Sequence, residues 1–168
     1  VSAFFWTVSF PFSINGTNLI PGWVSFLTIW VALIPIYLSL EHKTPKQNFW
    51  YGYLFGCLSY TVTTFWIYGT MQKYGNLSVP YSLSMTLGKD VLMGIPTGVA
   101  FWAIAKFSKP IPRWICAVIA LSLNDFSRFY FPGNGFPWIP AAYPLYNSLP
   151  LIQIADIIGI HGLNVFVY

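Results

Sequence analysis

Charge is scarce in this chain. Charged residues fill 7% of its 168 positions, against about 25% in soluble domains. A soluble fold of this composition would have little polar surface to turn toward water. Strand-type alternation of polar and apolar residues is missing, which argues against a lipid-facing barrel. Cysteine is nearly missing as well: Cys57 and Cys116 both lie in apolar runs. Without CxxC or His-rich spacing, neither a metal site nor a cofactor is expected. The two cysteines read as reduced packing residues, with a disulfide between them left open. No long repeat, low-complexity linker or domain boundary is visible. Apolar residues are abundant instead, at 56%, with 20% aromatics and a mean hydropathy of +0.61. Lipid is the better solvent for such a chain.

Lengths support this. A helix needs about 20 apolar residues to cross the hydrocarbon core. Trp23–Leu40, Phe49–Met71, Tyr81–Phe107, Trp114–Phe131 and Leu151–Tyr168 are such runs, and Val1–Phe12 reads as the tail of another. The expected fold is all-α: one polytopic transmembrane bundle over 1–168, about five to six spans, cut at both ends from a longer protein. Gly52, Gly56, Gly94 and Gly98 form two small-xxx-small pairs suited to close helix contact in lipid.

Basic residues set the orientation. Lys43 and Lys46 fall in loop 41–48, and Lys106, Lys109 and Arg113 in loop 106–113. The positive-inside rule places both on the cytoplasmic side. Loops 13–21, 72–80 and 132–150 contain only Lys73 and are expected outside. The net charge of +4 is therefore a topology signal, and no nucleic-acid partner is expected. Asn15-Gly16-Thr17 and Asn76-Leu77-Ser78 fit a glycosylation triplet, a pattern frequent by chance.

Four places hold residues capable of chemistry. Trp66, Tyr68 and Tyr74 cluster at the outer end of a span, as an aromatic belt would. Asp125 and Arg128, three apart on a helix, share a face and can pair. The pair either holds the following loop or meets a headgroup or substrate. Lys89-Asp90 interrupts a span, and intramembrane charge marks a candidate functional site by default. The alternative is an internal pair or a kink, which Pro96 would favour. Gln153, Asp156 and His161 lie in the last run without a nucleophile–base arrangement.

One segment resists simple placement. GNGFPWIPAAYPLYNSLP, Gly133 to Pro150, carries no charge, four prolines and four aromatics. Within it GFPWIPAAYP, Gly135 to Pro144, resembles the GFPW–x–x–x–x–Y loop of bacterial apolipoprotein N-acyltransferases. Asp125-Phe126-Ser127-Arg128 resembles that family's Glu-Phe-Leu-Arg element, with Asp in place of Glu. Leu151–Phe166 is similar to its next span, Phe65–Tyr68 with Tyr74-Gly75 to its W-x-Y…F-G-G element, Ile95-Pro96 to its apolar–Pro step, and Ser9–Phe12 to its F-x-P turn. One residue is inserted between Arg128 and Gly135, and Leu145 stands where the family often has Gln. Lys89-Asp90 is not a typical family feature.

The resemblance implies an acyltransferase of the bacterial cytoplasmic (inner) membrane. Its partners would be membrane lipid, a phospholipid acyl donor and a diacylated apolipoprotein acceptor. It implies that a nitrilase-like domain with a Glu-Lys-Cys triad follows residue 168, so no catalytic residue is expected here and 1–168 alone should be inactive. Candidate substrate-binding residues are Trp66, Tyr68, Tyr74, Asp125, Arg128, Phe136, Pro137, Trp138 and Tyr143, with the loop lying at lipid level. Two alternatives remain open: the same domain serving a polyprenol-phosphate mannosyl transferase, and a transporter fragment with Lys89, Asp90 and Asp156 on its path.

Overall fold

The computed structural model describes residues 1–11, 13–14 and 17–168, without the side chains of residues 13–14, 17–18 and 134. Phe12 of the expected F-x-P turn and Asn15-Gly16 of one glycosylation triplet lie outside the described residues. Helix dominates: α1 Ser2–Ser9, α2 Gly22–Ile29, α3 Ile34–Ser39, α4 Pro45–Thr63, α5 Trp66–Lys73, α6 Val79–Phe107, α7 Arg113–Ser127, α8 Leu149–Ile152 and α9 Ala155–Val167. Among the described residues, strand structure is one two-residue antiparallel pairing, β1 Ser13–Ile14 with β2 Thr17–Asn18.

The pair α4 and α6 forms the centre of the bundle. Both begin with proline in the first turn, where its missing N–H costs nothing. Thr44 and Gln47 close a capping box at the start of α4. Buried Asn48 donates to the carbonyls of Leu40, Lys43 and Thr44 and so fixes the turn before it. The helices run antiparallel and meet at glycines. A Cβ at Gly56 would stand 2.9 Å from the Thr97 Cβ and 3.1 Å from the Gly94 Cα. One at Gly98 would stand 3.1 Å from the Phe49 carbonyl. The two small-xxx-small pairs are thus the contact itself. Cys57 packs against Gly94, and both cysteines are free.

Two stretches, Gly22–Ser39 and Val79–Phe107, are long and apolar enough to cross a membrane. The other runs are shorter or broken as helices. Gly22–Ser39 itself pauses at residues 30–33, before Pro35 reopens it as α3. The run expected over Phe49–Met71 turns at Thr64 and Phe65, where the Thr64 side chain bonds the Tyr60 carbonyl. Helix α7 stops at Ser127, short of Phe131. The last run divides into α8 and α9, with Gly159 at φ 66° inside α9, a conformation glycine adopts without strain. Pro96 does not interrupt α6.

Large apolar side chains face outward, and the interior mixes an apolar core with buried polar groups. Leu54, Leu58, Val62, Leu87, Leu92 and Leu123 are exposed. Ser59, Thr64, Thr86, Asp90, Thr97, Asn124, Asp125, Arg128 and Asn164 are buried. Five of the eight basic residues, Lys43, Lys46, Lys106, Lys109 and Arg113, lie where α4 and α7 begin and α6 ends, and there Arg113 donates to the Tyr37 carbonyl and lies 4.9 Å from its ring. The segment after α7 occupies the other end.

Candidate functional site

The last helical turn of α7 starts the site. Asp125 and Arg128 are each 2% exposed and form an ion pair, as their spacing predicted. Beyond Arg128 the chain reverses through a wide turn, Phe131–Gly135, with Gly133 and Gly135 at positive φ. The Phe136 N–H donates to the Arg128 carbonyl at 2.6 Å and closes the turn. A side chain at Gly135 would collide with the Phe129 carbonyl. That collision, with φ at +95°, is the physical reason for glycine at the head of GFPW.

The loop then dips into the bundle. The Arg128 guanidinium donates through Nη1 to the carbonyls of Trp138 at 3.1 Å and Ile139 at 3.2 Å. Asp125 Oδ2 accepts from the Ala141 N–H at 3.2 Å. Asn164, on α9, accepts from the Ala142 N–H at 2.9 Å. These three buried side chains thereby pair backbone groups that hydrocarbon surroundings would leave unsatisfied, at a cost of several kcal/mol each, on the order given by transfer data. Ile139, Ala141, Ala142 and Leu145 are buried in consequence. The loop was expected to lie at lipid level. Much of its middle is core instead, while Pro137, Trp138, Tyr143 and Tyr146 face out. Behind it, Ser59, Tyr60, Thr97, Asn124, Asp125 and Arg128 line a cavity of about 20 Å³, room for about one water.

On the exposed face of the loop, Trp138 meets Trp66 edge-to-face, with centroids 5.5 Å apart. The Lys89 ammonium lies 4.9 Å from the centre of the Phe136 ring. Lys89 pairs with Asp90 and donates to Thr64 Oγ1 at 2.6 Å. Two ion pairs that are distant in sequence therefore bracket one loop.

The structure thus brings Trp66, Asp125, Arg128, Phe136 and Trp138 together, with Pro137 exposed between the last two. Tyr143, 41% exposed, opens the short helical turn Tyr143–Asn147 that follows the buried part of the loop. Tyr68 lies along α5, stacked on Phe65 and accepting from Gln72. Tyr74 is 75% exposed beyond the end of α5. Gln153 and Asp156 are exposed, while His161 packs between Phe126 and Phe129. Sequence reasoning missed Tyr60, whose ring lies 5.8 Å from the Arg128 guanidinium, and Asn164. A carboxamide in the otherwise apolar stretch Leu163–Tyr168 was the available signal for Asn164.

Comparison with known proteins bears directly on this arrangement. A family described as "Apolipoprotein N-acyltransferase N-terminal domain" matches residues 2–168. The apolipoprotein N-acyltransferase of Geobacter metallireducens is 30% identical over 136 residues, covering 80% of this chain and 26% of that protein. Those of Chromobacterium violaceum and Pseudomonas putida are 28% and 27% identical, over 80% and 77% of this chain and 27% and 26% of theirs. The chain spans about a quarter of the length of these curated relatives. With the match running over nearly every residue described above, the chain belongs to the apolipoprotein N-acyltransferase N-terminal domain family.

Proposed function

We propose that residues 1–168 form the membrane bundle of a longer, multi-pass acyltransferase in a bacterial cytoplasmic membrane. The bundle crosses the membrane five to six times, with its basic end in the cytoplasm. Loop 132–150 lies outside, and Trp66, Phe136, Pro137, Trp138 and Tyr143 form the surface that meets substrate, with Tyr68 and Tyr74 extending the belt along α5. Asp125 and Arg128 hold that surface in place. The observation that carries this reading is the aromatic loop clasped by a buried ion pair, in a bundle that exposes large apolar side chains and buries polar ones within its core.

The acyl donor is a phospholipid and the acceptor a diacylated apolipoprotein. Both reside in the bilayer, so a bundle that receives them laterally reduces a search in three dimensions to positioning. The chemistry belongs to a nitrilase-like domain outside residues 1–168. There a cysteine thiolate attacks the phospholipid ester, releases the lysophospholipid and keeps the acyl group as a thioester. The α-amine of the lipoprotein cysteine then attacks that thioester, gives up a proton and releases the thiolate. Splitting the transfer into two displacements lowers each barrier.

The test is acyl transfer by the full-length protein in lipid, with a diacylated lipopeptide as acceptor. Triacylated product by mass spectrometry is expected, with no acyl thioester on Cys57 or Cys116. Thioester on either cysteine would move the chemistry into the bundle, and absence of product would overturn the reading.

A further inference from the structure

We propose that Lys89 is a positioning residue: its ammonium clamps the Phe136 end of the loop to the α4–α5 junction, opposite the anchor that Arg128 supplies. Three observations point to this. The Asp90 carboxylate, on a residue 1% exposed, pairs with Lys89 beside an apolar loop. Thr64 Oγ1 accepts from Lys89 where α4 ends and the chain turns into α5, two residues before Trp66. The ammonium also faces the Phe136 ring, whose face attracts cations, more strongly where water is scarce.

An ammonium has three hydrogens. Asp90, Thr64 and the Phe136 ring account for three directions, and the Lys89 side chain is 14% exposed. The geometry is that of an internal tie rather than of a receptor for an outside anion. It links α6 to the residues on either side of the Trp66–Trp138 contact. Charge therefore holds the loop at two points: Arg128 through backbone carbonyls at Trp138 and Ile139, and Lys89 through a ring at Phe136. A mid-span lysine beside an aspartate has no packing advantage over two apolar residues, so its use lies in what it touches.

The effect on substrate binding rests on the function proposed above; the effect on the loop does not. The test uses the full-length protein in lipid nanodiscs, with Lys89→Arg, Lys89→Met and Lys89→Met/Asp90→Leu. The double change is included because Lys89→Met alone leaves a bare buried carboxylate and risks failure to fold. Amide hydrogen exchange across residues 136–142 is measured first. Both variants lacking the cation should exchange roughly tenfold faster there, with α4 unchanged, a signature of local opening. Lys89→Arg, which retains a cation able to sit over a ring, should stay close to wild type. Unchanged exchange in the double variant overturns the clamp.

Kinetics with a phospholipid donor then test the positioning. KM should rise about fivefold in the double variant while kcat stays within about twofold, the pattern of lost uniform binding. Faster exchange with an unaltered KM would overturn the positioning role. A wild-type protein that transfers no acyl group would overturn the functional reading alone, with exchange still deciding the clamp.

Discussion

Arg128→Ala should abolish acyl transfer by the full-length protein and leave the bundle markedly less stable. Three attachments go at once: the ion pair with Asp125 and the two bonds to the Trp138 and Ile139 carbonyls. What remains is worse than a gap. Asp125, 2% exposed, keeps a charge with no counter-ion, and stranding one member of a buried pair costs about 3–5 kcal/mol. Asp125→Ala should be damaging for the mirror reason, stranding a guanidinium and freeing the Ala141 N–H. The double variant Asp125→Leu/Arg128→Leu separates two roles. Replacing a buried pair with apolar residues is often neutral for stability, but three loop backbone groups also lose their partners here, so membrane levels and thermal midpoint should recover only in part. Activity should not, because the loop backbone has lost its partners. Recovery of activity along with stability would show that the pair serves folding alone.

The second large effect belongs to the α4–α6 contact. Gly56→Leu and Gly98→Leu should each prevent normal accumulation in the membrane. At Gly56 the added carbon meets Thr97 and the Gly94 backbone, and at Gly98 it meets the Phe49 side chain and carbonyl. Backbone on the far side cannot rotate away as a flexible side chain would, so the helices must separate. Overpacking typically costs about 1–3 kcal/mol, and here separation also pulls Thr64 from Lys89, which donates to its Oγ1, and from Asp90, which accepts from it at 3.3 Å. Gly88 provides the control, since a Cβ there meets open space. Gly88→Leu should accumulate normally in the same immunoblot. Equal levels for all three variants would show that the glycines do not set the helix spacing.

These effects differ in how visible they were beforehand. The glycine pairs, the Asp125–Arg128 spacing and the apolar runs are local periodic signals, legible because a helix converts spacing into a shared face. Helix breaks were less legible. Hydropathy is blind to a turn at Thr64, because the turn is set by a hydroxyl bonding Tyr60 and by a lysine reaching from α6. The burial of Ile139, Ala141, Ala142 and Leu145 was hidden for a similar reason. A proline-rich apolar loop reads as interfacial until Asn164, on a different helix, is known to meet Ala142. Lys89 and Phe136, 47 positions apart in the sequence, meet only once α6 and the loop are packed.

The central claim is that the loop presents its aromatic end to substrate while buried charge holds its backbone. Trp138 separates these directly. Arg128 binds its carbonyl, whereas the residue is 49% exposed and its indole touches Trp66. Trp138→Ala therefore removes the presented surface and leaves the anchor. The decisive measurement is the rate of lipopeptide triacylation by full-length Trp138→Ala at membrane levels matched to wild type. A fall in kcat/KM of about tenfold, equivalent to about 1.4 kcal/mol, is the predicted result. A wild-type rate at equal protein levels would contradict it and return the loop to packing alone.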